Sequence, residues 1–173
     1  FRLMSRGARP IPFVLCLLTL WAANVHSAPN AGDEISPVSL SLEQKVGQLF
    51  MIAIDTEIAA RYEAHIRSGK LGGALLRWDR FSGEEALRFT RMMQDWASSA
   101  PVKVPFLIAA DHEGGSVFTQ RLFGATIFPG NMALGAARLV RLTEEAAYAG
   151  ARELRGLGIH MDFAPVLDVN SNP

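Results

Sequence analysis

Asp111, His112 and Glu113 stand together in 111-DHEGG-115, where the apolar run 105-PFLIAAD-111 ends, and Arg121 follows six residues after Gly115. Two carboxylates and an imidazole this close could ligate a metal, move protons, or grip a polar ligand. A helical zinc motif needs a second histidine one helical turn after the first. Position 116 is Ser116, and Gly114 and Gly115 would break such a helix. His65 and His160 fall in a helical stripe and a helix–strand turn, without ligand spacing, which suits solvated or hydrogen-bonded rings. No metal is expected. A nucleotide site is not expected either. No G-x-G-x-x-G or Walker pattern occurs, and Gly72-Gly73 precedes its apolar run instead of following it.

A ligand grip has the geometry on its side. In an extended segment Asp111 and Glu113 project one way and His112 the other. At the mouth of a strand Asp111 is placed to accept hydrogen bonds from paired hydroxyls. The two glycines let the backbone pass close to a ligand, or turn with positive φ. Arg121 would add a fork of donors from the same loop. This set suits a polyhydroxylated ligand. The plainer alternative is that Asp111 and Arg121 only tie down a loop.

Four apolar runs must position these groups: 49-LFMIAI-54, 72-GGALLRW-78, 105-PFLIAAD-111 and 163-FAPVLDV-169. Helical stretches alternate with them. Ser41 and Gln44 form a capping-box pattern before 42-LEQKVGQLF-50. Residues 57–69 carry Ile58, Tyr62 and Ile66 at helical spacing. In 82–100, Ser82 is the expected cap and Leu87, Phe89, Met92, Met93 and Trp96 make a core stripe. After a long loop, 143–159 has Thr143 as expected cap and Gly156 and Gly158 as stops. Short, nearly continuous apolar runs imply strands buried on both faces by crossover helices, hence a parallel α/β sheet. Periodicity leaves open whether the sheet is open or closed into a barrel. Asp55, Arg77/Asp79, Asp111/Glu113 and Asp168/Asn170 sit at the carboxyl ends of the runs, where both architectures bind ligands.

The 173 residues are 49% hydrophobic, enough for one sizeable core. With 17 basic and 17 acidic side chains and no Lys/Arg block, the electrostatic footprint of a nucleic-acid binder is missing. Arg2, Arg6 and Arg9 precede the thirteen-residue apolar run 11-IPFVLCLLTLWAA-23. That is shorter than the about 20 residues a membrane span needs. With Val25 and Ser27 behind it, the segment reads as a signal peptide over 1–27, followed by a linker over 28–40. An uncleaved anchor is the alternative. The expectation is export, to the periplasm or beyond, with no stable membrane span after cleavage. Cys16, the sole cysteine, lies in the middle of the leader, so the mature chain would hold no thiol or disulfide.

The blocks 42-LEQKVGQLF, 72-GGALL, 111-DHEGG, 128-FPGNMALGAA, 152-RELRGLGI and 163-FAPVLDVNSNP resemble, in order and spacing, the N-terminal catalytic domain of glycoside hydrolase family 3. The likeness is nearest to its β-N-acetylhexosaminidase branch and runs from Ser41 to Pro173. It implies a (β/α)8 TIM-type barrel, of which 41–173 would be about the first half. It further implies a retaining exo-glycosidase acting on a carbohydrate, the terminal sugar of an oligosaccharide or peptidoglycan fragment, without a cofactor. In that branch the acid/base is a His on a flexible loop, after a Lys-His pair, and the nucleophile is an Asp on a later strand. No Lys follows Lys103 here. The catalytic residues are therefore expected beyond Pro173, and these residues alone are expected to be inactive. By resemblance Asp111 is the sugar-hydroxyl acceptor. The family's D-x-E-G-G-x-V-x-R pattern places its Arg at position 119; here Thr119 stands there, and the role passes to Arg121. Asp168 and Asn170 would order the loops around the sugar. A β-glucosidase or β-xylosidase of the same family is one alternative. A non-catalytic carbohydrate-binding half-barrel is another, if the chain is complete.

Overall fold

Ser41 caps the first helix with a complete capping box. Its Oγ accepts the Gln44 N–H at 3.2 Å, while Gln44 Oε1 accepts the Ser41 N–H at 2.9 Å. The computed structural model describes residues 39–77, 83–116 and 126–168. The expected leader, most of the linker, and Trp78, Asp79, Ser82, Arg121 and Asn170 lie outside the described residues. Helix α1, Leu42–Gly47, is clasped to the turn ahead of the second strand. The Gln44 and Gln48 side-chain amides donate to the carbonyls of Ser68 and Gly69, each at 2.9 Å.

From there strands and helices alternate: β1 Met51–Ile54, α2 Ala59–Arg67, β2 Gly73–Leu76, α3 Gly83–Ser98 and β3 Leu107–Ala110. Then come α4 Asn131–Ala137, α5 Val140–Gly156 and β4 Met161–Asp162. The sheet runs β1-β2-β3-β4 and every neighbouring pair is parallel. A doubly wound sheet reverses its strand order at a switch point. Sequential parallel neighbours without a reversal are the order of a barrel wall.

Alternate strand residues feed one core. Ile54, Ala74, Leu76, Ile108 and Ala110 pack with Ile66, Phe89, Met93, Trp96 and Leu154 from the helices. The other face is different: its Leu107 is 40% exposed and Met161, paired with Ala109, is 37% exposed. Among the described residues helices therefore cover one face of the sheet, where the apolar runs had suggested both. In a barrel the second face looks toward the axis and packs on other strands, so an uninterrupted apolar run arises either way. Thr90 locks α3 to the end of α5, donating from its hydroxyl to Leu157 O at 2.7 Å. Gln94 Nε2 donates to Phe106 O at 2.9 Å and holds the approach to β3.

Two elements differ from expectation. Helix α4 forms where a loop was expected, because 131-NMALGAA-137 has the Ala content of a helix and no polar face to mark a period. Arg138, at φ 53° and ψ 29°, ends it, and α5 starts at Val140. Thr143 thus lies inside α5, whose N-cap is Leu139, with no side-chain cap bond. The fourth strand is Met161–Asp162 and not 163–169, whose described residues 163–168 form no strand. Pro165 has no N–H to continue a ladder, so the apolar run 163-FAPVL-167 leaves the sheet. No helix among the described residues is long and apolar enough to cross a membrane.

Candidate functional site

Asp55, Arg77 and Asp111 stand one residue beyond the carboxyl ends of β1, β2 and β3. Ile54 pairs with Leu76, so Asp55 and Arg77 continue that row. Asp55 is 3% exposed and fully engaged. Its Oδ1 accepts the N–H groups of Glu57 at 2.9 Å and Ile58 at 3.1 Å, and its Oδ2 lies 3.8 Å from Arg77 Nε. It is a cap for the turn into α2 rather than a free acceptor. Arg77 is exposed at the same end of the sheet, and Asp111 is half-buried.

The chain leaves β3 through Asp111 and His112 and then turns at Gly114 and Gly115. His112 is 7% exposed. Its ring meets Phe128 edge-on, with centroids 6.3 Å apart, and faces Gly150, where an added Cβ would come within 3.2 Å of Nε2. The expected alternation places His112 opposite Asp111, but it fails at Glu113, which lines the same cavity as His112. The reason is the turn. Gly114 and Gly115 have φ of 75° and 63°, and Gly115 N–H donates to Phe128 O at 2.8 Å. Of the two roles open to the glycines, they take the positive-φ turn, pressed against the backbone of 128–130. Thr126 secures that strip to α5, its Oγ1 donating to Glu153 Oε1 at 2.7 Å.

A cavity of about 200 Å³ opens between this turn, α4, α5 and the exit of β4. His112, Phe128, Gly150 and Asp162 line it, and Asp111 does not. The cavity thus lies on the helix side of the β3 exit, away from the carboxylate that the sequence singles out. Among the described residues no three His, Cys, Asp or Glu side chains are grouped to hold a metal. His160 is satisfied, since its Nδ1 accepts the Ile108 N–H at 3.3 Å. Arg121 lies outside the described residues. Asp168 is exposed beyond β4, so the carboxylate at the end of the fourth strand is Asp162. Asp162 Oδ1 accepts the His112 N–H at 2.9 Å. Sequence reading missed Asp162; Pro165, which demotes the run around it as a strand, was the available signal.

Burial pushes the His112 imidazole below 6.5, against the opposing charges of Asp162 and Glu153. Burial, then the Arg155 charge, lowers His160 as well. Burial raises the Asp162 carboxyl, with the His112 N–H and ring opposing and the Asp111 charge adding. Lowered histidines bind protons more readily in the unfolded chain than in the folded one. Stability is thus full above 6.5 and falls as pH drops below it. Asp162 works in the opposite sense at lower pH, because its folded state holds the proton more tightly. Melting temperature is therefore expected to decline from pH 7 to pH 5. His112→Gln should flatten that decline, and a slope unchanged in the variant would refute the assignment.

Residues 41–173 match the family described as Glycosyl hydrolase family 3 N terminal domain. Beta-hexosaminidase A of Pseudoalteromonas piscicida is 34% identical over 122 residues, covering 68% of this chain and 19% of that relative. The Beta-N-acetylglucosaminidase/beta-glucosidase of Cellulomonas fimi is 34% identical over 131 residues, covering 75% of this chain and 22% of the relative. Among solved structures, a glycoside hydrolase family 3 beta-N-acetylglucosaminidase from Paenibacillus sp. str. FPU-7 superposes with a TM-score of 0.70 at 38% identity. That match covers 78% of this chain and 26% of the other. The chain therefore spans about a fifth of the length of these two curated relatives. Its sequential parallel sheet is an N-terminal part of the TIM-type barrel architecture of these neighbours. The chain belongs to glycosyl hydrolase family 3, and residues 41–173 are N-terminal-domain sequence of that family.

Proposed function

We propose that this chain is part of a retaining exo-glycosidase that removes terminal β-linked N-acetylhexosamine, with Asp111 as an acceptor for sugar hydroxyls and Arg121 as a donor beside it. The observation that carries the reading is the position of Asp111. It stands just past the carboxyl end of β3, in a family with relatives named Beta-hexosaminidase A and beta-N-acetylglucosaminidase. A barrel binds its ligands at that end of the strands. Retaining hydrolysis needs a nucleophile and an acid/base about 5–5.5 Å apart. Neither role is assigned to a residue of this chain, so the 173 residues on their own are expected to bind sugar without turnover. The basic and apolar N-terminal segment supports export. β-Glucosidase activity is the second reading, favoured by the double name of the Cellulomonas fimi relative.

The test is an assay of the complete gene product, alongside the 173-residue chain, with nitrophenyl β-N-acetylglucosaminide and nitrophenyl β-glucoside. The complete product should release chromophore chiefly from the first substrate, and the 173-residue chain from neither. A complete product that cleaves only the glucoside would reverse the substrate assignment. Turnover by the shorter chain would show that catalytic groups lie within it.

A further inference from the structure

The geometry points to Asp162 as the positioning residue that aims Asp111, by holding the peptide between Asp111 and His112. This inference rests on the reading of Asp111 as a sugar-binding group. Strand β3 pairs with β4 only through Ala109↔Met161 and Ala110↔Asp162. Past Ala110 the chain must present Asp111 to one side and bury His112 on the other, and the His112 N–H then needs an acceptor away from water. The place for that acceptor lies beside the end of β4, where Phe163 donates its N–H to Ala110 O at 2.9 Å and Pro165 has no N–H to continue the ladder. The Asp162 side chain takes that place, accepting the His112 N–H through Oδ1 at 2.9 Å.

The bond joins the two strand exits 50 residues apart in sequence. It holds one of the two peptides that flank Asp111, and so constrains the direction of the Asp111 Cα–Cβ bond. Around it the structure leaves His112 little freedom. Phe128 stands edge-on to the ring, and Gly150 faces the ring with no Cβ to displace it. Gly115 N–H ties the far side of the turn to Phe128 O. The Asp111 side is held differently: there the peptide is fixed by Asp162. Asp162 itself makes no contact with the sugar. It acts through Asp111.

The experiment uses the full chain, with N-acetylglucosamine as probe and amide NMR as readout. Asp162→Ala should accelerate hydrogen exchange of the His112 amide at least about tenfold, as expected for loss of a bond to a charged acceptor. It should also weaken N-acetylglucosamine binding about tenfold, toward the level of Asp111→Ala. Asp162→Asn keeps an oxygen acceptor in place and should restore both to within about twofold. In the unaltered chain, the His112 amide shift should follow the titration of the Asp162 carboxyl, a readout that needs no variant to fold. An amide shift indifferent to that titration, or His112 exchange unchanged in Asp162→Ala, would overturn the inference. So would sugar affinity kept in Asp162→Ala but lost in Asp111→Ala. If Asp111→Ala itself binds sugar normally, the sugar-site reading fails, and the exchange of His112 still decides whether Asp162 holds the turn.

Discussion

Asp111→Ala in the complete gene product is expected to lower kcat/KM for N-acetylglucosaminides about a hundredfold, with the fold intact. A hydrogen bond to a charged acceptor contributes about 1.5–3 kcal/mol, and each 1.4 kcal/mol is about tenfold. A carboxylate bridging two hydroxyls reaches a hundredfold without any part in the chemistry. Stability should change little, because Asp111 is half-buried at the strand exit and outside the apolar cluster. Asp111→Asn keeps the shape and removes the charge, so it should fall between wild type and Ala. The controls come from the neighbours on the same row. Asp55→Ala removes the acceptor of two turn N–H groups and should act on stability before activity. Steady-state kinetics with matched circular dichroism would decide the matter. Unchanged kcat/KM in Asp111→Ala would remove this carboxylate from the substrate site.

The contrast between Asp111 and Asp55 shows what the sequence could and could not reveal. Both are aspartates directly after an apolar run, and both were legible as groups at the carboxyl ends of strands. Only coordinates separate them. Asp55 is consumed by Glu57 and Ile58, because the turn into α2 begins at once. Asp111 is followed by the buried His112, and the turn comes only at Gly114 and Gly115. The alternation of strands and helices was likewise readable, since it depends on local apolar period and on caps such as Ser41. The parallel direction followed from that alternation, but periodicity left open sheet and barrel wall undecided, because strand neighbours are chosen by long-range packing; the barrel came from the family resemblance. Helix α4 escaped because a run of small residues has no contrast between faces. Strand β4 was misplaced by two residues because the unbroken apolar stretch 163-FAPVL-167 begins just after the residues that pair, Met161 and Asp162. Only the missing N–H of Pro165 tells where the ladder must stop. That shift changed the site: it replaced Asp168 with Asp162 as the carboxylate at the fourth strand's end.

Gly114→Ala is expected to destabilise the protein by about 2–4 kcal/mol, combining a backbone cost with a steric one. At φ 75° the residue occupies the left-handed region, which costs an L-amino acid about 1–2 kcal/mol. Its new Cβ would also stand 2.8 Å from Pro129 O, a backbone atom with no rotamer to yield. Pro129 cannot simply retreat. The adjoining Phe128 carbonyl accepts the Gly115 N–H at 2.8 Å, and Thr126 anchors the same strip to Glu153. Relief at one contact therefore stretches another, and the turn that carries His112 away from Asp111 must open. Sugar binding should weaken along with stability, because Asp111 lies three residues upstream on the same turn. Gly135→Ala provides the matched comparison. Gly135 lies in α4 and a Cβ there meets nothing within 4 Å, so alanine should be neutral or stabilise by up to about 1 kcal/mol. Urea unfolding of both variants against the parent measures the difference. If Gly114→Ala unfolds at the same urea midpoint as the parent, the positive-φ turn is not what these glycines provide, and close approach of a ligand to the backbone becomes the better account of 114-GG-115.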